Sequence, residues 1–289
     1  MRNDDFSVDF VIGGCRKAGT SWLYEVLRSN PEVCLCEKVK ESHFFTTKFG
    51  KGLDWYRSLF PSNLSGLAVG EIDPSIFIFP EAVSNIKSTF PDTKLIFILR
   101  RPPDLAHSGY MFSLREGTVT GTEQERWEQS PYARRDVSFF TVLRPFYEHF
   151  GADKILITIF DDLKQHPEAF YKRVCEFVGV ETSADPLLFS RKFNAAARSR
   201  VQWLTAPVQR LKRLARQTDM HWLVNTAKQF GGKRLFNMLF PAESTRISPE
   251  MEQIIIRDTY DEVAKASELI GIDLVSMWRY DKAPGAPSP

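Results

Sequence analysis

Residues 8–30 read VDFVIGGCRKAGTSWLYEVLRSN, and their order decides the fold. The apolar run Phe10-Val11-Ile12 predicts a buried strand, a polar loop follows from Gly13 to Gly19, and a helix opens at Thr20-Ser21. Glycines let backbone N–H groups approach a ligand, and the helix points its positive end at the same place. Together these parts make a phosphate cradle.

The wording of the loop narrows its chemistry. A nucleoside-triphosphate loop reads G-x-x-x-x-G-K-[ST], its Lys reaching the outer phosphates and its hydroxyl holding Mg²⁺. Here Gly14-Cys15-Arg16-Lys17-Ala18-Gly19-Thr20-Ser21 keeps both glycines, but Thr20 stands at the lysine position. The lysine has moved back into the loop, to Lys17. Anion contact survives this change; the usual metal-dependent arrangement does not.

Working outward, the chain alternates strand and helix. Strands are expected at Val33–Cys36, Leu67–Glu71, Lys94–Leu99 and Lys154–Phe160. Helices are expected at 53–60, 80–90, 104–114, 137–150 and 163–178, with an irregular span over 115–135. Runs such as LIFIL suit a parallel strand covered on both faces. The pattern predicts an α/β, P-loop-like, three-layer domain: a central parallel sheet flanked by helices. A single domain is expected over 1–289, with its core at 8–180. Ligands of such sheets sit beyond the carboxyl ends of the strands. Lys17, Glu41, Glu71, Asp73 and Arg100 all fall at that edge.

The C-terminal third differs in character. Residues 191–234 hold eleven Lys or Arg and one acid, a local +10 that leaves the remainder at −8 against the chain's net +2. This basic helical segment, about 191–245, suits a lid over a polyanion, an acceptor patch or peripheral membrane contact. A closing helix is expected at about 248–271, with Ser248 as cap and Pro249 at its first position. The tail, 283–289, is expected to be disordered. No apolar run reaches the roughly 18 residues of a membrane span. Cys15, Cys34, Cys36 and Cys175 form no metal or disulfide pattern. With a charged start and no signal-peptide pattern, these features point to the cytoplasm.

A second anion site is expected at Arg100, with Ser108 eight residues on in the following helix. A guanidinium fork with a hydroxyl suits a terminal phosphomonoester. Two phosphate sites without a Walker lysine suggest a nucleotide phosphorylated at both ends.

These motifs resemble the sulfotransferases that use 3′-phosphoadenosine-5′-phosphosulfate (PAPS). Arg16-Lys17-Ala18-Gly19-Thr20-Ser21-Trp22 is similar to their 5′-phosphosulfate loop, and Leu99-Arg100-Arg101-Pro102 through Ser108 to their 3′-phosphate motif. Glu41-Ser42-His43-Phe44-Phe45 resembles the base-bearing stretch of the glycan (heparan-type) branch. The resemblance implies that Lys17 contacts the sulfate-bearing phosphate, that Gly19, Thr20 and Ser21 cradle the 5′-phosphate, and that Trp22 stacks near adenine. It further implies Arg100 and Ser108 on the 3′-phosphate and Glu41 as general base with His43 beside it. Asp73 is the reserve base. PAPS is the implied donor, PAP its product, and no metal or nucleic acid is implied.

The sequence also departs from the family pattern. A second arginine often found five positions after the first is Leu105 here, and Arg101 is the candidate to replace it. A lysine common after the glutamate equivalent to Glu71 is Ile72, which speaks against a glycosaminoglycan acceptor. The leading expectation is transfer of a sulfuryl group to a hydroxyl, less readily an amine, of a carbohydrate, lipid-linked saccharide or secondary metabolite. A P-loop nucleotide kinase and an anionic-polymer binding module are the alternatives.

Overall fold

In the computed structural model of the chain, which describes residues 6–190 apart from 117 and 120, and residues 246–282, one parallel sheet forms the centre. Its middle strand is β1 (Phe10–Gly14). β3 (Ala68–Ile72) and β2 (Val33–Leu35) lie to one side of it, β4 (Lys94–Leu99) and β5 (Ile155–Ile159) to the other, giving the order β2-β3-β1-β4-β5. The basic segment 191–245 and the tail 283–289 lie outside the described residues.

Every residue of β1 is buried, and Leu95 to Leu99 of β4 are fully enclosed, as expected for strands covered on both faces. Gly70 in β3 is required by packing: a Cβ there would sit 2.1 Å from Phe10 Cζ. Ile12 pairs with Ile72 of β3 and with Ile96 of β4, and the β1–β4 register then shifts between Ile12 and Gly14 at the carboxyl edge.

α1 (Thr20–Arg28) and α9 (Pro167–Val178) are joined through the Asn30 amide, which donates to the Tyr171 hydroxyl at 2.9 Å. A second group comprises α3 (Glu81–Thr89), α4 (Pro102–Arg115), α7 (Phe139–Phe150) and α10 (Pro249–Ile270), with α10 packed on α4 and α7. The Ser248 side chain caps α10 by accepting from Met251 N at 3.2 Å. Short helices α2 (Gly52–Arg57) and α11 (Leu274–Met277) complete these groups.

Two stretches differ from the sequence reading. The span expected to be irregular contains α5 (Glu123–Gln129), opened by a Thr122–Glu125 capping box, and α6 (Pro131–Arg135). Thr122 and Glu125 satisfy each other's backbone donors, a signature present in the sequence. The single helix expected over 163–178 is two, α8 (Phe160–Gln165) and α9, broken at His166. Pro167 has no N–H to give and pushes the preceding residue out of the helical region.

Candidate active site

The edge of the sheet is knitted before any side chain acts. Cys15 N donates to Ile98 O at 2.9 Å and Asp73 N to Ile12 O at 3.1 Å, drawing the ends of β1, β3 and β4 together. The loop from β1 then curls through two left-handed residues, Lys17 (φ 66°) and Gly19 (φ 92°). A Cβ on Gly19 would fall 2.3 Å from Leu163 Cδ2, and its left-handed backbone favours glycine. No side chain caps the start of α1, leaving its first N–H groups for a ligand.

Arg100, at the end of β4, reaches across to this loop. Its Nη1 donates to the Lys17 carbonyl at 2.7 Å, while its guanidinium lies over the Phe160 ring at 4.7 Å. Lys17 Nζ sits 4.3 Å from the centre of the Phe112 ring, which is 41% exposed. Burial lowers the Lys17 ammonium to about 8, helped by Arg115, Arg100, Lys40 and Arg16. A cluster this rich in cations is suited to a ligand of opposite charge. Ser108 is buried two turns along α4 from Arg100.

Glu41 is tied to the start of α1 through its neighbour. Lys40 Nζ donates to Ser21 Oγ at 2.9 Å and to Glu41 Oε1 at 3.0 Å, so one ammonium links α1 to this carboxylate. The Glu41 stretch is held from beneath by β3. Buried Glu71 accepts from Ser42 N at 2.9 Å and from the Tyr56 hydroxyl at 2.6 Å; burial, and the charge of Asp73, push it up to about 7. Asp73, 0% exposed, accepts from Ser75 N at 3.0 Å and lies 3.4 Å from His43 Nδ1.

The sulfotransferase domain family matches residues 7–214. The chain belongs to the sulfotransferase family. Mouse heparan sulfate glucosamine 3-O-sulfotransferase 3B1 is 32% identical over 180 residues, 59% of this chain and 46% of that protein. Human heparan sulfate glucosamine 3-O-sulfotransferase 6 is 42% identical over 104 residues, 36% of this chain and 30% of that protein. The chain thus spans less than half the length of these curated relatives. A crystal structure of a sulfotransferase from Alicyclobacillus acidocaldarius shares the fold, with a TM-score of 0.69 at 20% identity over 95% of this chain and 99% of that one.

The relatives also correct the cytoplasmic expectation. One of them, 29% identical over 110 residues (37% of this chain, 23% of that protein), is named the membrane-associated sulfotransferase kil1 of Dictyostelium discoideum. Others carry heparan sulfate in their names. Reduced cysteines and a charged first stretch do not define a compartment for a sulfotransferase. Among the described residues, no helix is long and apolar enough to cross a membrane.

Several of the expected site residues also make structural contacts. Trp22 is a core residue: it is 7% exposed, packs edge-on to Phe170 and against Phe189, and donates its indole N–H to Leu188 O at 3.1 Å. These contacts give the Trp22 ring a packing role in the core. Arg16 directs Nε and Nη2 at the two oxygens of buried Asp136, with Nε at 3.0 Å, and so braces the loop. Ala18 is fully enclosed. Arg101, the candidate to replace the arginine missing at Leu105, pairs with Glu252 and donates to Trp278 O at 3.3 Å, tying α10 to α4.

Asp136 and Tyr56 contact these residues without being marked in the sequence, and Lys40 pairs with Glu41 as its neighbour. Only Lys40 carried a signal, its place beside Glu41. Asp136 lies 120 residues from Arg16, and nothing local marks the pair.

Proposed function

We propose that this sulfotransferase-family chain moves a sulfuryl group from PAPS to a hydroxyl, with an amine as the less favoured acceptor. The observation that carries this reading is the bond from Arg100 to the Lys17 carbonyl, which joins two anion sites on one edge with Glu41 beside them. The residues fit a nucleotide phosphorylated at both ends: a Gly19 cradle that a Cβ would obstruct, a half-buried lysine among cations, and a strand-end guanidinium.

When bound, the donor supplies the sulfuryl group and a phosphate leaving group. In this reading the N–H groups of Gly19, Thr20 and Ser21 cradle the 5′-phosphate, and Arg100 with Ser108 holds the 3′-phosphate. Lys17 places positive charge where negative charge grows on the departing oxygen, a kind of preorganised stabilisation that is often the largest contribution. Glu41 accepts the proton of the acceptor hydroxyl as its oxygen bonds to sulfur, and Lys40 keeps that carboxylate fixed relative to α1. The relatives named for heparan sulfate favour a carbohydrate acceptor; Ile72, where a lysine is common in that branch, argues for one different from theirs.

Glu41→Gln tests the mechanism. Turnover should fall by about 10²–10⁴-fold, the usual contribution of a general base, while PAP affinity stays close to normal. Unchanged turnover would refute the role of Glu41. Tight binding of ATP–Mg²⁺ in preference to PAP would refute the donor and favour the kinase reading. A panel of saccharide, lipid-linked and phenolic hydroxyls, assayed for sulfate transfer by mass spectrometry, identifies the acceptor.

A further inference from the structure

Glu71 and Asp73, two residues apart at the end of β3, hold neighbouring residues of one loop. Glu71 takes the Ser42 N–H, and Asp73 faces the His43 ring. The hydrogen bonds around Ser75 fix how that ring is protonated. The Ser75 hydroxyl donates its one proton to Asp73 Oδ1 at 2.5 Å. Towards His43 Nδ1, 3.2 Å away, the same oxygen can therefore only accept, so Nδ1 carries a proton. The left-handed backbone of His43 (φ 58°) is held by Thr46 and Lys48, both of whose backbone N–H groups donate to its carbonyl.

The charge of the ring follows from what surrounds Asp73. Its second oxygen, Oδ2, is buried and has no hydrogen-bond partner among the described residues. A buried carboxylate left uncompensated is costly, and His43 is the basic group seated against it. The other titratable groups around His43 and this carboxylate are Glu41 two residues back, Lys48 on the same loop, and Glu71 with Tyr56 and Cys36 beneath. The hydrogen bond to Asp73 is the largest influence raising His43; burial opposes it, and the charges of Asp73 and Glu41 add to it.

We propose that Asp73 is a positioning residue that fixes His43 as a charged hydrogen-bond donor beside Glu41. Nδ1–H is directed at the Asp73–Ser75 pair, and Nε2–H is left for an oxygen of the sulfuryl group or of the acceptor. The His43 side chain is 38% exposed, which gives the outer ring edge access to a substrate. Glu41 then handles the acceptor proton and His43 does not. This assignment rests on the sulfotransferase reading of the site, but its first test does not depend on activity.

Nitrogen-15 NMR of the imidazole in the intact chain reads the pair directly. Nδ1 should remain protonated from pH 5 to 9, and the ring should titrate above the ordinary histidine value. Asp73→Asn should lower that titration by roughly 1–3 pH units, the effect of removing an adjacent opposite charge. A wild-type ring titrating at or below the ordinary value overturns the proposal, whether or not the variant folds.

The pH dependence of turnover separates donor from base. A charged donor makes turnover fall as pH rises through the His43 titration, and Asp73→Asn should move that fall to lower pH. A rate that instead rises through this titration makes His43 the base and refutes the assignment. Absence of sulfate transfer from PAPS to any acceptor would refute the proposed function and leave the NMR result standing.

Discussion

Lys17 offers the most direct test of the donor site, because its charge is poised near assay pH. Burial and four neighbouring cations lower its ammonium from 10.5 to about 8. A phosphate or phosphosulfate placed beside it supplies the missing negative charge and returns the group towards its ordinary value. At pH 8 the free protein carries Lys17 about half ionised, so binding PAP should take up about half a proton there, and almost none at pH 6. Above pH 8 the dissociation constant should weaken by about tenfold per pH unit until the bound-state value is reached. Calorimetry in buffers of different ionisation enthalpy measures the uptake, and Lys17→Met should abolish it. A dissociation constant flat from pH 7 to 10, or equal proton uptake in Lys17→Met, would refute the reasoning.

Three further outcomes follow from the packing. Trp22→Phe keeps an aromatic ring in the core but loses the bond to Leu188 O, so unfolding free energy should fall by about 1 kcal/mol with PAP affinity preserved; a loss of affinity beyond about tenfold would put the indole on the nucleotide. Gly19→Ala forces a Cβ towards Leu163 at a left-handed backbone position, and should cost about 1–3 kcal/mol in chemical denaturation as well as weaken PAP binding. Glu71 is raised from 4.5 to about 7, so its contribution to stability is complete below 4.5 and lost as pH rises through 7. Glu71→Gln should therefore gain on wild type by about 3 kcal/mol between pH 4 and pH 9, read from urea midpoints, and a pH-independent difference would count against the raised value.

The sheet and the loop were legible because their information is local. An apolar run, two glycines and a helix start lie within residues 8–30, and LIFIL marks the strand that carries Arg100. The helix break at His166 and the capping box at Thr122 were equally local, and were missed because hydrophobic periodicity outweighed turn and cap chemistry in the reading. What held the site together was not legible. Arg16–Asp136 and Tyr56–Glu71 are made by chain segments brought together only on folding, and no spacing rule connects them. Trp22 shows the converse limit: a motif fixes where a side chain leaves the backbone, while Phe170 and Phe189, far along the chain, decide what its ring touches.

The bond from Arg100 to the Lys17 carbonyl has a consequence for selectivity. On the proposed function one guanidinium is shared between two phosphate sites, so neither should relax without displacing the other. A ligand bearing both phosphates should then stiffen the loop and the strand end in a single event. A monophosphate should engage one half and leave the other half to fluctuate. Discrimination then comes from span, the distance between two charges on the ligand, as much as from the chemistry of either charge alone.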